Sequence, residues 1–250
     1  MLRAAIAWTS CLLCCLALAA RAAEPAADSL AHVERSADEQ FPEPLGSFTT
    51  TLLGSLAART ANVRLAAAAL DGIVLEPGDV LSFNAVVGPR TLERGYLPAP
   101  VILHETRQTQ TGGGVCQVAS TVFVAGLLSG LDVVERWRHS SPVDYIATGE
   151  DATIFWGAKD LRLRNALPQR VRLEVAVAGS VLSARFEGEE AALGAWDLET
   201  EERALPSDAD GGGSGHEIEL YRVWHDPNGS ESRMLVHRDV YPPARTREPR

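Results

Sequence analysis

The sequence predicts an α+β fold, a mostly antiparallel sheet packed with two or three helices. One helix is buried and starts at Gly-Gly-Gly-Val-Cys-Gln, residues 112–117. Three observations predict this. Short alternating segments, each cut off by Gly, Asp, Pro or Asn, fill residues 152–186 as antiparallel strands should. Apolar residues recur at helical spacing from Val63 to Leu70 and stop at Gly72. The run from Val118 to Leu128 is apolar throughout and reads as a helix buried on all sides.

The first segment stands apart from the fold. Arg3 gives a short positive start, Ala4–Ala20 is almost wholly apolar, and Ala17-Leu18-Ala19 and Ala20-Arg21-Ala22 are small-x-small cleavage sites. Residues 1–23 therefore read as a secretory signal peptide. The chain is expected to be exported, periplasmic or extracellular, and to touch a membrane only through this segment if it stays uncleaved. Residues 24–45 are polar and weakly patterned and read as a linker, with Pro42 and Pro44 marking entry to the domain.

From there the elements follow in order. Gly46–Thr51 has β character. A helix is expected to start near Thr60, with Thr60 or Asn62 as its N-cap. Pro77-Gly78 is a turn, and Val80–Asn84 alternates as a strand. Gly88-Pro89-Arg90 turns again, and Val101–His104 is a short strand leading to the glycines. The buried helix ends near Gly130, and Asp132–Trp137 follows as a strand with Arg136, His139 and Ser140 near its end. Ala152–Trp156, Leu161–Asn165, Val171–Val177 and Val181–Phe186 complete the sheet, so the domain is expected to span residues 46–188. Residues 189–216 are acid-rich and end in Gly-Gly-Gly-Ser-Gly, which reads as a flexible loop. Residues 217–243 read as a closing hairpin across Asp226-Pro227-Asn228-Gly229, and 244–250 as a disordered tail.

Composition excludes some functions. The formal charge of −10 becomes more negative once Arg3 and Arg21 leave with the first segment. An acidic chain with no basic patch is a poor partner for nucleic acid or an anionic membrane surface. The sequence has no P-loop, GxGxxG, CxxC or HExxH, and one cysteine among scattered histidines makes no structural zinc site. No metal and no cofactor is expected.

The cysteines point to a site instead. Of the 4 in the chain, Cys11, Cys14 and Cys15 lie in the signal segment, which leaves Cys116 without an internal disulfide partner. Cys116 has two readings, a small buried hydrophobe or a nucleophile. The second gains from its position. The start of a helix offers unpaired N–H groups and a partial positive charge, which favour thiolate. The glycines before it let backbone amides approach a ligand closely.

Several stretches in this order resemble the VanW family: the segment "GIVLEPGDVLSFN" from Gly72, Val87–Arg90, Gly95-Tyr96, "GGGVCQVAST", "ERWRHSSPVDY" and "GEDATIFWGAKDLRLRN". The resemblance covers about Gly46–Gly188. It implies an exported cell-envelope protein acting on peptidoglycan stem peptides or their precursors. It also implies an L,D-transpeptidase-like reaction with Cys116 as nucleophile.

A cysteine nucleophile needs a base within hydrogen-bond reach and a third group to orient that base. His139, at a strand end, is the candidate base, and His104 is its rival. His216, His225 and His237 fall outside the resembling region and are set aside. Asp151 either orients the histidine or caps a turn. Arg136 either binds a substrate carboxylate through its fork or is a solvated strand charge. Gly112, Gly113, Gly114 and Gln117, with the Cys116 amide, are candidates for an oxyanion and substrate site, with Ser140 beside them. Two readings of different class follow: a cysteine acyltransferase acting through a thioester, or a non-catalytic binder that cradles a terminal carboxylate in the glycine loop.

Overall fold

The computed structural model of the protein describes residues 40–52, 54–103, 106–206 and 215–241. The expected signal peptide, residues 24–39 of the linker, His104, residues 207–214 of the expected loop and the tail from residue 244 lie outside the described residues. The strands in chain order are Glu43–Thr51 (β1), Ile73–Leu75 (β2), Val80–Ser82 (β3), Pro98–Leu103 (β4), Thr106–Thr111 (β5) and Asp132–Glu135 (β6). They continue with Arg162–Arg164 (β7), Val171–Ala178 (β8), Val181–Gly188 (β9), Ala195–Ala204 (β10), His216–His225 (β11) and Glu231–Tyr241 (β12). The helices are Ala57–Leu70 (α1), Phe83–Val87 (α2) and Val115–Leu128 (α3). Every pairing among these strands is antiparallel, so the class is α+β as the sequence predicts.

Four sheets surround one core. One runs β1-β9-β8-β2, a second β10-β11-β12, a third β3-β7-β6, and β4 pairs with β5 as a ribbon. Helix α3 sits at the centre, against β1 and β9, with β6, β10 and α1 also in contact. Of its residues only Cys116 and Leu128 are not buried. A helix with no polar face has to lie between layers, and this one is open only at its two ends, at Cys116 in the first turn and Leu128 in the last. The core joins Val118, Val122 and Phe123 of α3 to Leu173 and Val175 of β8, Phe186 of β9, Leu163 of β7 and Leu220 of β11.

Strand structure extends beyond the expected domain at both ends, in two different sheets. Strand β1 starts at Glu43, inside the expected linker, because Glu43 pairs with Gly188 at the far end of β9. The expected flexible loop 189–216 contains β10, which pairs with β11 from Ala195↔His225 to Ala204↔His216. Acid-rich composition misleads here because the acids meet cations. Arg233 bridges Glu199 and Glu201, and Arg203 pairs with Glu217. Such exposed pairs contribute little; what seats the strand is Trp196, whose ring packs on Trp224 at 4.8 Å and under the Arg222 guanidinium at 4.1 Å. Strands β11 and β12 form the expected C-terminal hairpin, in whose turn the Asp226 carboxylate accepts the Asn228 N–H at 2.8 Å.

Three local expectations are also corrected. Helix α1 starts at Ala57, so neither Thr60 nor Asn62 caps it. Asn62 is buried within it, and its side chain donates to the Leu97 and Gly113 carbonyls and accepts the Leu97 N–H. The strand expected over Val80–Asn84 ends at Ser82, whose hydroxyl accepts the Ala85 N–H and so caps α2. Ala152–Trp156 forms no strand and carries one isolated bridge, Phe155↔Lys159.

Candidate active site

The thiol is positioned from the glycine turn upward. Residues Thr111–Gly114 turn the chain from β5 into α3, with Gly112 at φ 86° and Gly114, the N-cap, at φ 106°. Both lie in the region that side chains other than glycine's rarely adopt. A Cβ on Gly112 would stand 2.7 Å from Arg90 Cβ, and one on Gly114 would stand 2.8 Å from Arg59 Cγ. Gly113 has a different duty. A Cβ there would strike the Ala99 and Pro100 carbonyls, and its own carbonyl accepts from Asn62. It locks the turn onto β4 and α1 and does not line the cavity.

In the first turn of α3 the Gln117 N–H is bonded to the Gly114 carbonyl at 3.0 Å and the Val115 N–H to Gly112 at 3.2 Å. The Cys116 N–H has no backbone acceptor among the described residues, so it is the donor left for an oxyanion beside the sulfur. The Gln117 side chain is committed to structure. It donates to Thr50 Oγ1 and the Thr51 carbonyl and accepts from Arg59 at 2.8 Å.

Cys116, His139 and Asp151 are brought together. His139 and Cys116 line one cavity, close enough for the histidine to hold the thiol below its ordinary value, and His139 Nδ1 lies 2.5 Å from Asp151 Oδ2. With Nδ1 taken by the carboxylate, Nε2 is the nitrogen left for the sulfur. Asp151 Oδ2 also accepts the His139 N–H at 2.7 Å, and Oδ1 accepts from Arg136 at 3.0 Å. Every partner of this buried carboxylate is a donor. The segment that carries Asp151 is pinned to α3 by Ser120, whose hydroxyl accepts the Ala152 N–H at 2.9 Å and donates to the Cys116 carbonyl at 3.0 Å.

Arg136 does not meet the expectation of a substrate-binding residue. Its side chain is 5% exposed, it does not line the cavity, and it bridges Asp151 to Asp239 of β12 at 2.6 Å. Nε also donates to the Asp151 carbonyl. Arg136 fixes the acid that fixes the histidine. His237, set aside from sequence, donates from Nε2 to the Gly149 carbonyl, 2.9 Å away, beside the same network. Burial and then the Arg136 charge pull it down to about 4, so it stays neutral. Ser140 is exposed and outside the cavity.

The electrostatics favour a thiolate facing an imidazolium. Burial alone would push the Cys116 thiol up. The hydrogen bond and charge of His139 outweigh it, with smaller help from the Ile154 carbonyl and the Arg90 charge, and hold the thiol below its ordinary value. Burial likewise opposes charge on His139, but its bonds to Asp151 and Cys116 raise it to about 9. Asp151 is held below its usual range, since His139 and Arg136 together overcome its desolvation. The pair is therefore charged in the window between the lowered thiol value and about 9.

This chain opens into a cavity of about 730 Å³. Its walls include Arg59, Arg90, Gly112, Gly114, Tyr145 and Trp156 around Cys116 and His139. Tyr145 lies edge-on to His139 and near the Ser120 hydroxyl, and burial pushes its phenol far above its ordinary value, so it is a neutral wall. Among the described residues no group of three His, Cys, Asp or Glu side chains is placed to hold a metal. Sequence reasoning missed Ser120, Tyr145, Arg59 and Arg90. Ser120 was findable, four residues after Cys116 on the same helix face. The other three arrive from distant elements and carry no local signal.

The family whose description is VanW like protein matches residues 58–186. Over 129 residues the chain is 40% identical to the uncharacterized protein YoaR of Bacillus subtilis, covering 52% of this chain and 43% of that protein. Over 109 residues it is 31% identical to the vancomycin B-type resistance protein VanW of Enterococcus faecalis, covering 42% of this chain and 40% of that one. The chain thus spans less than half the length of either curated relative. No solved structure matches it. Cys116, His139 and Asp151 all fall inside the matched region, whereas Asp239 and His237 lie beyond it.

Proposed function

The chain belongs to the VanW-like family, and from that premise we propose that it is an exported cysteine acyltransferase acting on peptide stems of the cell wall. The observation that carries the reaction type is Cys116 held low by His139 on the wall of an open cavity, with His139 in turn bonded to Asp151 behind it. A binder has no use for a thiol held below its ordinary value by an oriented histidine. The wall-peptide substrate rests on the family, one relative of which is named for vancomycin resistance. Export rests on the N-terminal segment 1–23.

In the proposed cycle the Cys116 thiolate attacks a peptide carbonyl carbon, and a C–S bond forms. The carbonyl oxygen takes the negative charge and is met by the Cys116 N–H. As the C–N bond breaks, His139 Nε2 gives its proton to the leaving amine, and a thioester remains. An amine from a second stem then attacks the thioester. His139 takes the proton from that amine, the C–S bond breaks, and the thiolate–imidazolium pair is restored. Water in place of the amine would give a carboxypeptidase or amidase.

The test is intact-protein mass spectrometry after incubation with a tetrapeptide stem. A covalent acyl adduct mapping to Cys116, released by hydroxylamine and absent in Cys116→Ala, is expected. Binding of the peptide with equal affinity by wild type and Cys116→Ala, with no adduct, would leave the non-catalytic reading in its place.

A further inference from the structure

The glycine turn seats two arginines as well as the thiol. Arg90 packs its stem against Gly112, and Arg59 against Gly114, at distances no Cβ would permit. The turn just before Cys116 leaves room for both stems, and both arginines line the wall of one cavity with it.

Each guanidinium is fixed by neutral acceptors and leaves donors over. Arg59 uses Nη2 on Gln117 Oε1 at 2.8 Å, and its guanidinium lies 5.8 Å from the Tyr145 ring centroid. Arg90 uses Nη1 on Asn84 Oδ1 at 2.7 Å and on the Gly88 carbonyl at 2.8 Å, with its guanidinium 5.9 Å from the Trp156 ring centroid. Neither is ion-paired to a carboxylate among the described residues. Asp160, the acid whose charge reaches Arg90, is spent on the Ser82 hydroxyl and the Asn84 N–H. Asp144, the acid in the cavity lining, has an interaction of its own. In a chain of net charge −10, two such cations facing one pocket are a feature to explain. Planar forks of this kind match a carboxylate.

We propose that Arg59 and Arg90 form an anion subsite beside Cys116 that receives the free α-carboxylate of the substrate, so that the enzyme cuts at peptide ends. This rests on the acyltransferase reading above. Both arginines line the same cavity as Cys116 and pack on the turn that ends two residues before it, and one residue spans only ~3.5 Å. The carboxylate they receive is assigned on this ground to the residue next to the attacked carbonyl. The leaving group is then a single terminal amino acid carrying its own carboxylate, and internal peptide bonds are excluded because they offer no charge to the pair.

The experiment compares two alkylating agents of nearly equal size on the native protein, anionic iodoacetate and neutral iodoacetamide. The ratio of their rates at Cys116, divided by the same ratio for a small free thiol, reads the subsite directly. The expected ratio exceeds the free-thiol value by about tenfold and falls back towards it in Arg90→Gln and Arg59→Gln, while Arg90→Lys keeps part of it. In wild type, acetylalanine should protect Cys116 from iodoacetamide and acetylalaninamide should not, a readout that needs no variant to fold. A wild-type ratio equal to that of the free thiol, with both acetylalanine compounds equally ineffective, overturns the subsite while leaving the nucleophile standing. A thiol inert to both reagents overturns the nucleophile, and the subsite with it.

Discussion

Asp151→Asn should cut the proposed acyl transfer by at least about a hundredfold and destabilise the fold by about 2–3 kcal/mol. The reason is that the carboxylate has only donors around it: the His139 N–H, the His139 ring and Arg136. An amide cannot serve them all, because its NH₂ must face either Arg136 or the histidine. With the charge gone, the histidine loses the bond to Asp151 that helps raise it to about 9, and the thiolate loses its counter-ion in turn. The stability effect has a definite pH sign. The folded Asp151 lies below its reference value of 3.8. Its contribution is therefore fully present above that value and is lost as the pH falls through the folded pKa beneath it. Denaturant midpoints of wild type and Asp151→Asn should differ at neutral pH and converge in acid. Equal stability at neutral pH would show that the carboxylate carries no net interaction.

Phe123→Ala should cost about 3–5 kcal/mol and lower Tm by roughly 6–20 °C. Phe123 is fully buried at the centre of α3. Its ring is 5.6 Å from the Arg136 guanidinium and 6.0 Å from His237. Truncation therefore opens a cavity beneath the residue that holds Asp151. Activity measured well below the new Tm should also fall, because Arg136 loses the surface it lies on. Thermal unfolding followed by circular dichroism checks the first effect. A Tm within a few degrees of wild type would mean that α3 is not the centre of the core.

What the sequence made legible follows from how local each signal is. The buried helix α3 was readable because its lack of a polar face is written in consecutive residues. The closing hairpin was readable because Asp226–Gly229 spells its own turn. Strand β10 was not, since an acidic stretch looks disordered until Arg233, Arg203 and Trp224 are known to lie beside it. Asn62 looked like a helix cap because that role is local, whereas its real partners, Leu97 and Gly113, are far away in the chain. The site divides the same way. Cys116 stood out by its neighbours, and His139 by its place near a strand end. Arg136 was misassigned because its partner Asp239 comes from a strand 103 residues on. Arg59 and Arg90 were invisible because only the folded glycine turn brings them together.

A thiolate held by His139 is the centre of the proposed site. Its most direct test is the pH titration of the Cys116 thiolate, followed by ultraviolet absorbance and by the iodoacetamide rate, in wild type and His139→Gln. The thiolate of the wild type should persist well below the ~8.5 of a free thiol, and the curve of the variant should move up to or past that value because burial is then unopposed. A wild-type thiol that ionises only at or above ~8.5, or a curve unmoved in His139→Gln, would contradict the account.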